Sequence, residues 1–392
     1  MSPAACPACG CPGLEAFHSQ PSVPAHSCLL LGDVEEARRY PRGAIDLGLC
    51  TRCGFVTNTA FDARLTHYST AYEETQGFSP RFRDFAEELA WRWIDRYDVR
   101  GRDILEIGCG KGEFLAMMCD LGGNRGIGID PSFVPQRGTY PAADRLGFLQ
   151  ELYGPEHARL PADVIICRHT LEHIGPVAAF LRLVRSAIGD RRDVAVLFEV
   201  PDVLRVLREG AFWDVYYEHC SYFTPGSLAR LFRGSGFEVV DVRLDFDDQY
   251  IVLEALPAPG PTSPRWPLED DLAETIAAVA RFTATYRNSV EGWRRRLGEQ
   301  AAGGGRTAIW GAGSKGVAYL NALGDGCGID VAVDINPYKQ GMYLAGTGTA
   351  VVAPRHLVGY RPDSVVVMNP TYTEEIRETL AGLGLEPELS AV

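Results

Sequence analysis

Glu106, Gly108, Gly110 and Gly112 alternate through the stretch Ile104-Leu-Glu-Ile-Gly-Cys-Gly-Lys-Gly112, and a second apolar run, Gly126-Ile-Gly-Ile129, ends at Asp130. An apolar run that opens through glycines predicts a buried strand, a tight turn and a helix start. The glycines let the backbone come close to a ligand, and the first helical turn offers unpaired N–H groups. An acid at the tip of the second strand of such a unit accepts hydrogen bonds from both hydroxyls of a ribose. The unit therefore holds a nucleoside by its sugar. Its spacing is not the Gly-x-Gly-x-x-Gly that approaches a pyrophosphate. Glu106, just before the turn, suits a cofactor that carries a positive charge and no pyrophosphate.

Two further stretches carry groups that move protons. Asp163-Val-Ile-Ile-Cys-Arg-His169-Thr-Leu-Glu172-His173 reads as a strand followed by a polar loop. Ligands of a doubly wound sheet sit beyond the carboxyl ends of its strands, so His169, Glu172 and His173 are expected near the reacting atoms. Phe212-Trp-Asp-Val-Tyr216-Tyr217-Glu218-His219-Cys220-Ser221-Tyr222-Phe223 packs three tyrosines, an acid and a histidine into the seven residues from Tyr216 to Tyr222. His219 can take a proton near neutral pH. Glu218 is expected to orient it, and a tyrosine O–H to stabilise a developing oxyanion.

Cys6 with Cys9, and Cys50 with Cys53, form two Cys-x-x-Cys pairs. Four thiolates so spaced close a tetrahedral zinc site with no open position, a structural rather than catalytic metal. Cys11, Cys28, His18 and His26 are spare ligands nearby. A segment this short needs such a staple, because it cannot bury a core of its own.

The elements that position these groups fall into four stretches. Residues to about 66 hold the cysteine pairs, with loop and few periodic segments between them. From about 67, Phe82, Phe85, Leu89, Trp93 and Ile94 approximate helical spacing, and strand–helix alternation follows to about 256. Pro257-Ala-Pro-Gly-Pro is a linker signal, and a long amphipathic helix over roughly 268–300 ends at Gly303-Gly-Gly. Residues from Arg306 onward form a compact α/β unit. There Gly311-x-Gly313-x-x-Gly316 follows a strand, and Asp334 ends the next apolar run. Alone, that is a dinucleotide fingerprint, but no hydride-transfer residue set accompanies it.

Composition narrows the class. The 392 residues, 46% of them hydrophobic, suit a globular protein of two or three domains, and the net charge of −13 disfavours a nucleic-acid surface. No apolar run approaches a membrane span. Eleven cysteines without an export pattern point to the reducing cytoplasm.

The glycine stretch resembles the first motif of the class I methyltransferases, whose cofactor is S-adenosylmethionine. With the cysteine-paired N-terminus, the Tyr216-x-Glu218-His219-x-Ser221-Tyr222-Phe223 stretch and the C-terminal α/β unit, the whole chain resembles the three-part sugar C-methyltransferases. The resemblance implies an α/β fold: a class I Rossmann-like core (67–256), a zinc-binding N-terminal domain (1–66), and a linker helix with a C-terminal Rossmann-like substrate domain (257–392). It implies methylation of carbon 3 of a nucleoside-diphosphate 4-keto-deoxysugar in antibiotic biosynthesis, with His219 as base and Glu218, Tyr216 and His173 assisting. Glu106, Gly108, Gly110, Gly112, Asp130 and His169 would then hold S-adenosylmethionine, and Tyr222, Gly313 and Lys315 the acceptor. No nucleic acid or membrane enters this reading, and a monomer or weak homo-oligomer is expected. The match departs at Asp245-Phe-Asp-Asp-Gln249-Tyr250, where the familiar sugar enzymes carry a glycine-rich stretch. An O- or N-methyltransferase on a non-sugar scaffold is therefore the alternative, and a non-catalytic nucleotide-binding protein a third reading.

Overall fold

Each Cys-x-x-Cys pair closes a tight turn through a glycine in the left-handed region, Gly10 at φ 74° and Gly54 at φ 76°. This is a computed structural model, which describes residues 5–135, 137, 140–260, 262–324 and 326–392. Pro261, in the expected linker, lies outside them. Between the cysteine pairs, β1 (Glu15–Pro24) runs antiparallel to β2 (Arg42–Leu49), with helix α1 (Val34–Arg38) between them, and β3 (Val56–Asn58) pairs with β2. The expected loop is thus a hairpin. Pro21 and Pro24 look like breakers, but β1 is an edge strand, where a missing N–H costs nothing. Its pairing is irregular between Gln20 and Val23.

Helix α2 (Pro80–Tyr97) starts where Ser79 Oγ accepts the Phe82 N–H and stops at left-handed Asp98. It buries Phe85, Leu89, Trp93 and Ile94, leaving Phe82 half-buried. The core then runs β4 (Asp103–Ile107), α3 (Glu113–Gly122), β5 (Arg125–Ile129), β6 (Leu146–Leu149), β7 (Val164–Arg168), α4 (Val177–Ile188), β8 (Ala195–Pro201), α5 (Val203–Glu209), β9 (Ser221–Tyr222), α6 (Pro225–Gly234), β10 (Phe237–Asp245) and β11 (Tyr250–Pro257). Seven of these strands form one sheet in the order β10-β11-β8-β7-β4-β5-β6. The pairs from β8 to β6 are parallel, and β11 is antiparallel to β8. A parallel sheet is covered on both faces, so its strands read as unbroken apolar runs. Alternate residues of β7 accordingly enter different cores. Ile165 and Cys167 pack with Leu181 and Val184 of α4, while Val164 and Ile166 pack with Trp93 and Met118.

β9 leaves this sheet and pairs with β3, becoming the last strand of the N-terminal one. The chain continues through the long α7 (Leu272–Ala302) into β12 (Thr307–Trp310), α8 (Ser314–Leu323), β13 (Ile329–Val333), β14 (Ala350–Val352), α9 (Leu357–Tyr360), β15 (Ser364–Val367), α10 (Thr373–Gly382) and β16 (Glu388–Ala391). These five strands form a parallel sheet, β14-β13-β12-β15-β16. One apolar cluster joins the N-terminal and C-terminal sheets through α5 and the loop after it: Ile45 and Val56, Leu204 and Phe212, Phe282 of α7, and Leu320 of α8. That shared core fixes how the parts face one another. Among the described residues no helix is long and apolar enough to cross a membrane.

Candidate active site

The turn from β4 into α3 is built on glycines that nothing else could replace. Gly108, at φ 74°, has Thr170 Oγ1 where a Cβ would stand, and Gly112, at φ 84°, has the Phe148 ring there. α3 begins with no side-chain cap, so its first N–H groups stay open. Asp130, at the tip of β5, takes the Gly110 N–H on Oδ2 at 2.9 Å and the Ser132 N–H on Oδ1 at 2.7 Å. Each oxygen retains a lone pair for a ribose hydroxyl. Glu106 is 2% exposed, and its Oε2 has no partner among the described residues. Burial pushes its carboxyl up to about 8 although Arg168 opposes, so a cationic ligand would supply what it lacks.

His169 follows β7 with φ at 47°, a conformation that costs a non-glycine residue energy and needs support from its surroundings. Its Nε2 lies 2.5 Å from Glu199 Oε1 and its Nδ1 3.6 Å from Glu172 Oε1. The first is an ion-pair contact rather than an aligned hydrogen bond. Burial disfavours the imidazolium, yet Glu199 and Glu172 outweigh it and hold the pKa at about 9. Tyr250 stands edge-on to the ring at 4.5 Å.

The loop between α5 and β9 brings Tyr216 and His219 together, their ring centroids 4.2 Å apart, and His173 meets His219 edge-on at 4.7 Å. Among the described residues no hydrogen bond engages the ring nitrogens of His219. Burial, aided by the charges of His173, His169 and Lys315, holds its pKa well below the usual value. Burial likewise raises Tyr216 well above a free phenol, with Asp214 and Glu218 adding to it, so its O–H stays a donor. Tyr222 lines the cavity, but its hydroxyl donates to the Tyr216 carbonyl at 3.1 Å and so serves the shape of the loop.

Glu218 does not orient His219. Its carboxylate turns away, and the two are not hydrogen-bonded among the described residues. It receives His26 Nδ1 at 2.6 Å, the Ser27 hydroxyl and, at 3.4 Å, the Ser314 hydroxyl. His26 Nε2 accepts the His67 N–H at 2.9 Å, which leaves the ring proton on Nδ1, facing Glu218. One buried carboxylate thus joins the N-terminal hairpin, the core and the C-terminal unit. Burial would raise its pKa, but His26 and Ser27 bring it below the ordinary value. The backbone of Glu218 still serves the site: its carbonyl lies 3.1 Å from His173 Nδ1, which is also 2.7 Å from Tyr68 Oη. Tyr68 escaped the sequence reading. The sequence signal for Tyr68 is slight, one tyrosine in Tyr68-Ser-Thr-Ala-Tyr72 just before α2.

The second glycine loop repeats the local design of the first. Asp334, at the tip of β13, accepts the Ala312 N–H at 3.0 Å, and α8 starts after Gly313 without a side-chain cap. Lys315 pairs with Asp214 at 2.7 Å, and Arg205 reaches the same carboxylate at 2.6 Å. The β10–β11 hairpin turns through Phe246, Asp247 and Asp248, all left-handed at φ 52°, 54° and 57°. That turn delivers Gln249, whose Nε2 donates to Asn369 at 2.9 Å and Thr371 at 2.7 Å. A cavity of about 1490 Å³ runs between the two glycine loops and is lined by Asp130, His173, His219, Gly313 and Lys315. Sites for one small ligand hold roughly 300–1,000 Å³, so this one has room for two.

Among the described residues, two clusters could hold a metal. Glu172, His173 and His219 offer ligand atoms within 4.8 Å of one another beside the cavity, and so do Cys6, Cys9, Cys50 and Cys53 at the N-terminus. Cys6 Sγ lies 3.7 Å from Cys53 Sγ, and Cys9 Sγ 3.6 Å from Cys50 Sγ. Those distances are far beyond a disulfide. They match a tetrahedron of zinc–sulfur bonds, whose sulfur–sulfur edges are about 3.8 Å. Of the spare ligands, Cys11 meets Arg52, Cys28 meets Ser314, and His26 meets Glu218.

The sequence matches two family models, "Methyltransferase domain" over residues 79–242 and "C-methyltransferase C-terminal domain" over residues 269–384. It is 28% identical over 369 residues to the C-methyltransferase NovU of Streptomyces niveus, covering 88% of this chain and 85% of that protein. It is 26% identical over 179 residues to a ubiquinone biosynthesis O-methyltransferase of Aeromonas salmonicida, covering 42% of this chain and 75% of that one. A Burkholderia thailandensis 1,6-didemethyltoxoflavin-N1-methyltransferase, solved with S-adenosylhomocysteine, aligns at TM-score 0.33 and 18% identity over 46% of this chain and 81% of its own. The chain belongs to the S-adenosylmethionine-dependent methyltransferases, as a class I core joined to a C-methyltransferase C-terminal domain.

Proposed function

We propose that the protein methylates carbon 3 of a nucleoside-diphosphate 4-keto-deoxysugar through an enolate, with His219 as the base. The observation that supports this best is the cavity joining the two glycine loops, with His219, Tyr216 and His173 between them. A C–H next to a ketone is acidic because the enolate charge rests on oxygen. His219, kept neutral by its burial, takes that proton on an unengaged nitrogen. The anion formed beside it raises the affinity of His219 for the proton. Tyr216 is the O–H donor to the enolate oxygen, and Tyr68 with the Glu218 carbonyl fixes the ring of His173 behind it. When bound, S-adenosylmethionine supplies an electrophilic methyl group. Asp130 and Glu106 hold its ribose and receive its charge, with His169 at the edge of that site. Gly313, Lys315 and Tyr222 face the acceptor, the start of α8 serving phosphate. On this reading residues 1–66, 67–256 and 257–392 act as three parts, and Cys6, Cys9, Cys50 and Cys53 hold a structural zinc ion.

One observation favours a second reading, an O- or N-methyltransferase on a non-sugar acceptor. Lys315, Lys339 and Arg168 each already face a carboxylate: Asp214, Asp334 and Glu199. A diphosphate would have to share them. Incubation with methyl-labelled S-adenosylmethionine and a panel of nucleoside-diphosphate 4-ketosugars decides between the two. The expected product has a new C–CH₃ bond beside the ketone, lost in His219→Ala. No transfer to any ketosugar, with cofactor binding intact, would sink the sugar reading.

A further inference from the structure

The segment before α2 lies over the first glycine loop. A methyl group placed on Gly110 would collide with the Glu74 carboxylate, and the N–H of the same glycine is held by Asp130. Two carboxylates therefore flank one glycine. Asp130 bonds backbone N–H groups with both oxygens, but Glu74 Oε2 has no hydrogen-bond donor among the described residues. The nearest cation, Lys111 Nζ, is 3.6 Å away, and it donates instead to the carbonyls of Tyr72 at 2.6 Å and Ser132 at 2.8 Å. The Glu74 side chain is 31% exposed, and Glu74 is among the residues lining the cavity.

We propose that Glu74 receives the α-ammonium group of the methionine arm of S-adenosylmethionine. The assignment rests on the placement of the ribose at Asp130. Of the two cationic groups on that molecule, the sulfonium has no hydrogen to donate, whereas the ammonium has three. The surroundings of Glu74 call for such a donor. Burial pushes its carboxyl up to about 7; Lys111 opposes, and Asp130 and Glu73 add to the rise. Tyr72, Cys28, Cys109 and Lys339 complete the titratable and charged groups that face it. A carboxyl whose pKa burial has raised toward neutrality is driven to its ionised form when an ammonium docks against it.

The test compares two ligands by titration calorimetry. S-adenosylhomocysteine carries the amino-acid arm; 5′-methylthioadenosine has the same nucleoside without it. In Glu74→Gln the affinity for S-adenosylhomocysteine is expected to fall about tenfold or more, as for a lost hydrogen bond between charged groups. Affinity for 5′-methylthioadenosine should stay within about threefold, which also certifies the fold. In the unsubstituted protein at pH 7, S-adenosylhomocysteine should release a fraction of a proton, read from the dependence of the heat on buffer ionisation enthalpy. 5′-Methylthioadenosine should release none. Equal weakening of both ligands in a variant that melts where the unsubstituted protein does, or an unchanged affinity for S-adenosylhomocysteine, overturns the assignment. Should the Gln variant not fold, Glu74→Asp withdraws the charge by one methylene, and the same selective loss is expected of it. Failure of the unsubstituted protein to bind either ligand would instead count against the nucleoside site itself.

Discussion

Replacing His26 by alanine tests whether one buried carboxylate holds the three parts of the molecule together. The 2.6 Å contact with Glu218 joins side chains that are 0% and 1% exposed. A hydrogen bond to a charged group contributes about 1.5–3 kcal/mol. The variant leaves Glu218 with Ser27 and the longer approach of Ser314, so a loss of about 2 kcal/mol is expected at pH 7. The dependence on pH is the sharper signature. In the unsubstituted protein the folded pKa of Glu218 lies below its ordinary value. Its contribution is then present above the unfolded pKa and disappears only as pH falls through the folded one. Without His26, burial prevails and the folded pKa rises above the unfolded value. The contribution of Glu218 is then greatest at low pH and shrinks as pH climbs through that raised pKa. The gap between the two proteins should therefore widen from pH 4 to pH 7. Urea-unfolding midpoints at several pH values read it directly, with far-UV and tryptophan signals compared. A gap that stays flat across that range would refute the argument, because a simple loss of packing volume has no reason to titrate.

Two other outcomes follow from the same geometry. Cys50→Ser removes one corner of the sulfur tetrahedron, so bound zinc, measured by atomic emission, should fall and the N-terminal sheet should lose its fold; undiminished metal and stability would dispose of the structural-zinc proposal. Asp130→Asn should weaken S-adenosylhomocysteine and 5′-methylthioadenosine to a similar extent, about tenfold, because both carry the ribose; a loss confined to S-adenosylhomocysteine would move the ribose elsewhere.

What the sequence revealed was local. Gly108, Gly110 and Gly112 lie within five residues of one another, and their turn, strand and helix follow from φ and sterics alone. The cysteine pairs and the helix periodicity of Phe85, Leu89 and Trp93 are legible for the same reason. The β1–β2 hairpin was hidden because Pro21 and Pro24 argue against a strand until its edge position is known. The partners of Glu218 were hidden by distance along the chain: His26 lies 192 residues away and Ser314 lies 96 away. Adjacency of Glu218 to His219 suggested a catalytic pair, but the chain turns at Tyr217 and Glu218, so the two side chains leave it in different directions. The same loop kept its histidine toward the cavity and sent its acid to the domain junction. Asp247 and Asp248 are exposed turn residues. The strained left-handed turn they occupy, and the Gln249 it delivers, needed coordinates to be seen.

The pairing of β9 with β3 has a consequence for how the enzyme responds to its surroundings. Val56 and Thr57, three and four residues past Cys53, pair with Tyr222 and Ser221, which directly follow the His219–Cys220 stretch. The segment carrying the proposed base is thus the outermost rung of a ladder whose other end is anchored by four sulfur atoms. On the proposed structural-zinc reading, loss of the ion would let the ladder fray from its sulfur end and unseat the base. On that reading, removal of zinc would silence methyl transfer while leaving the cofactor pocket of the core intact.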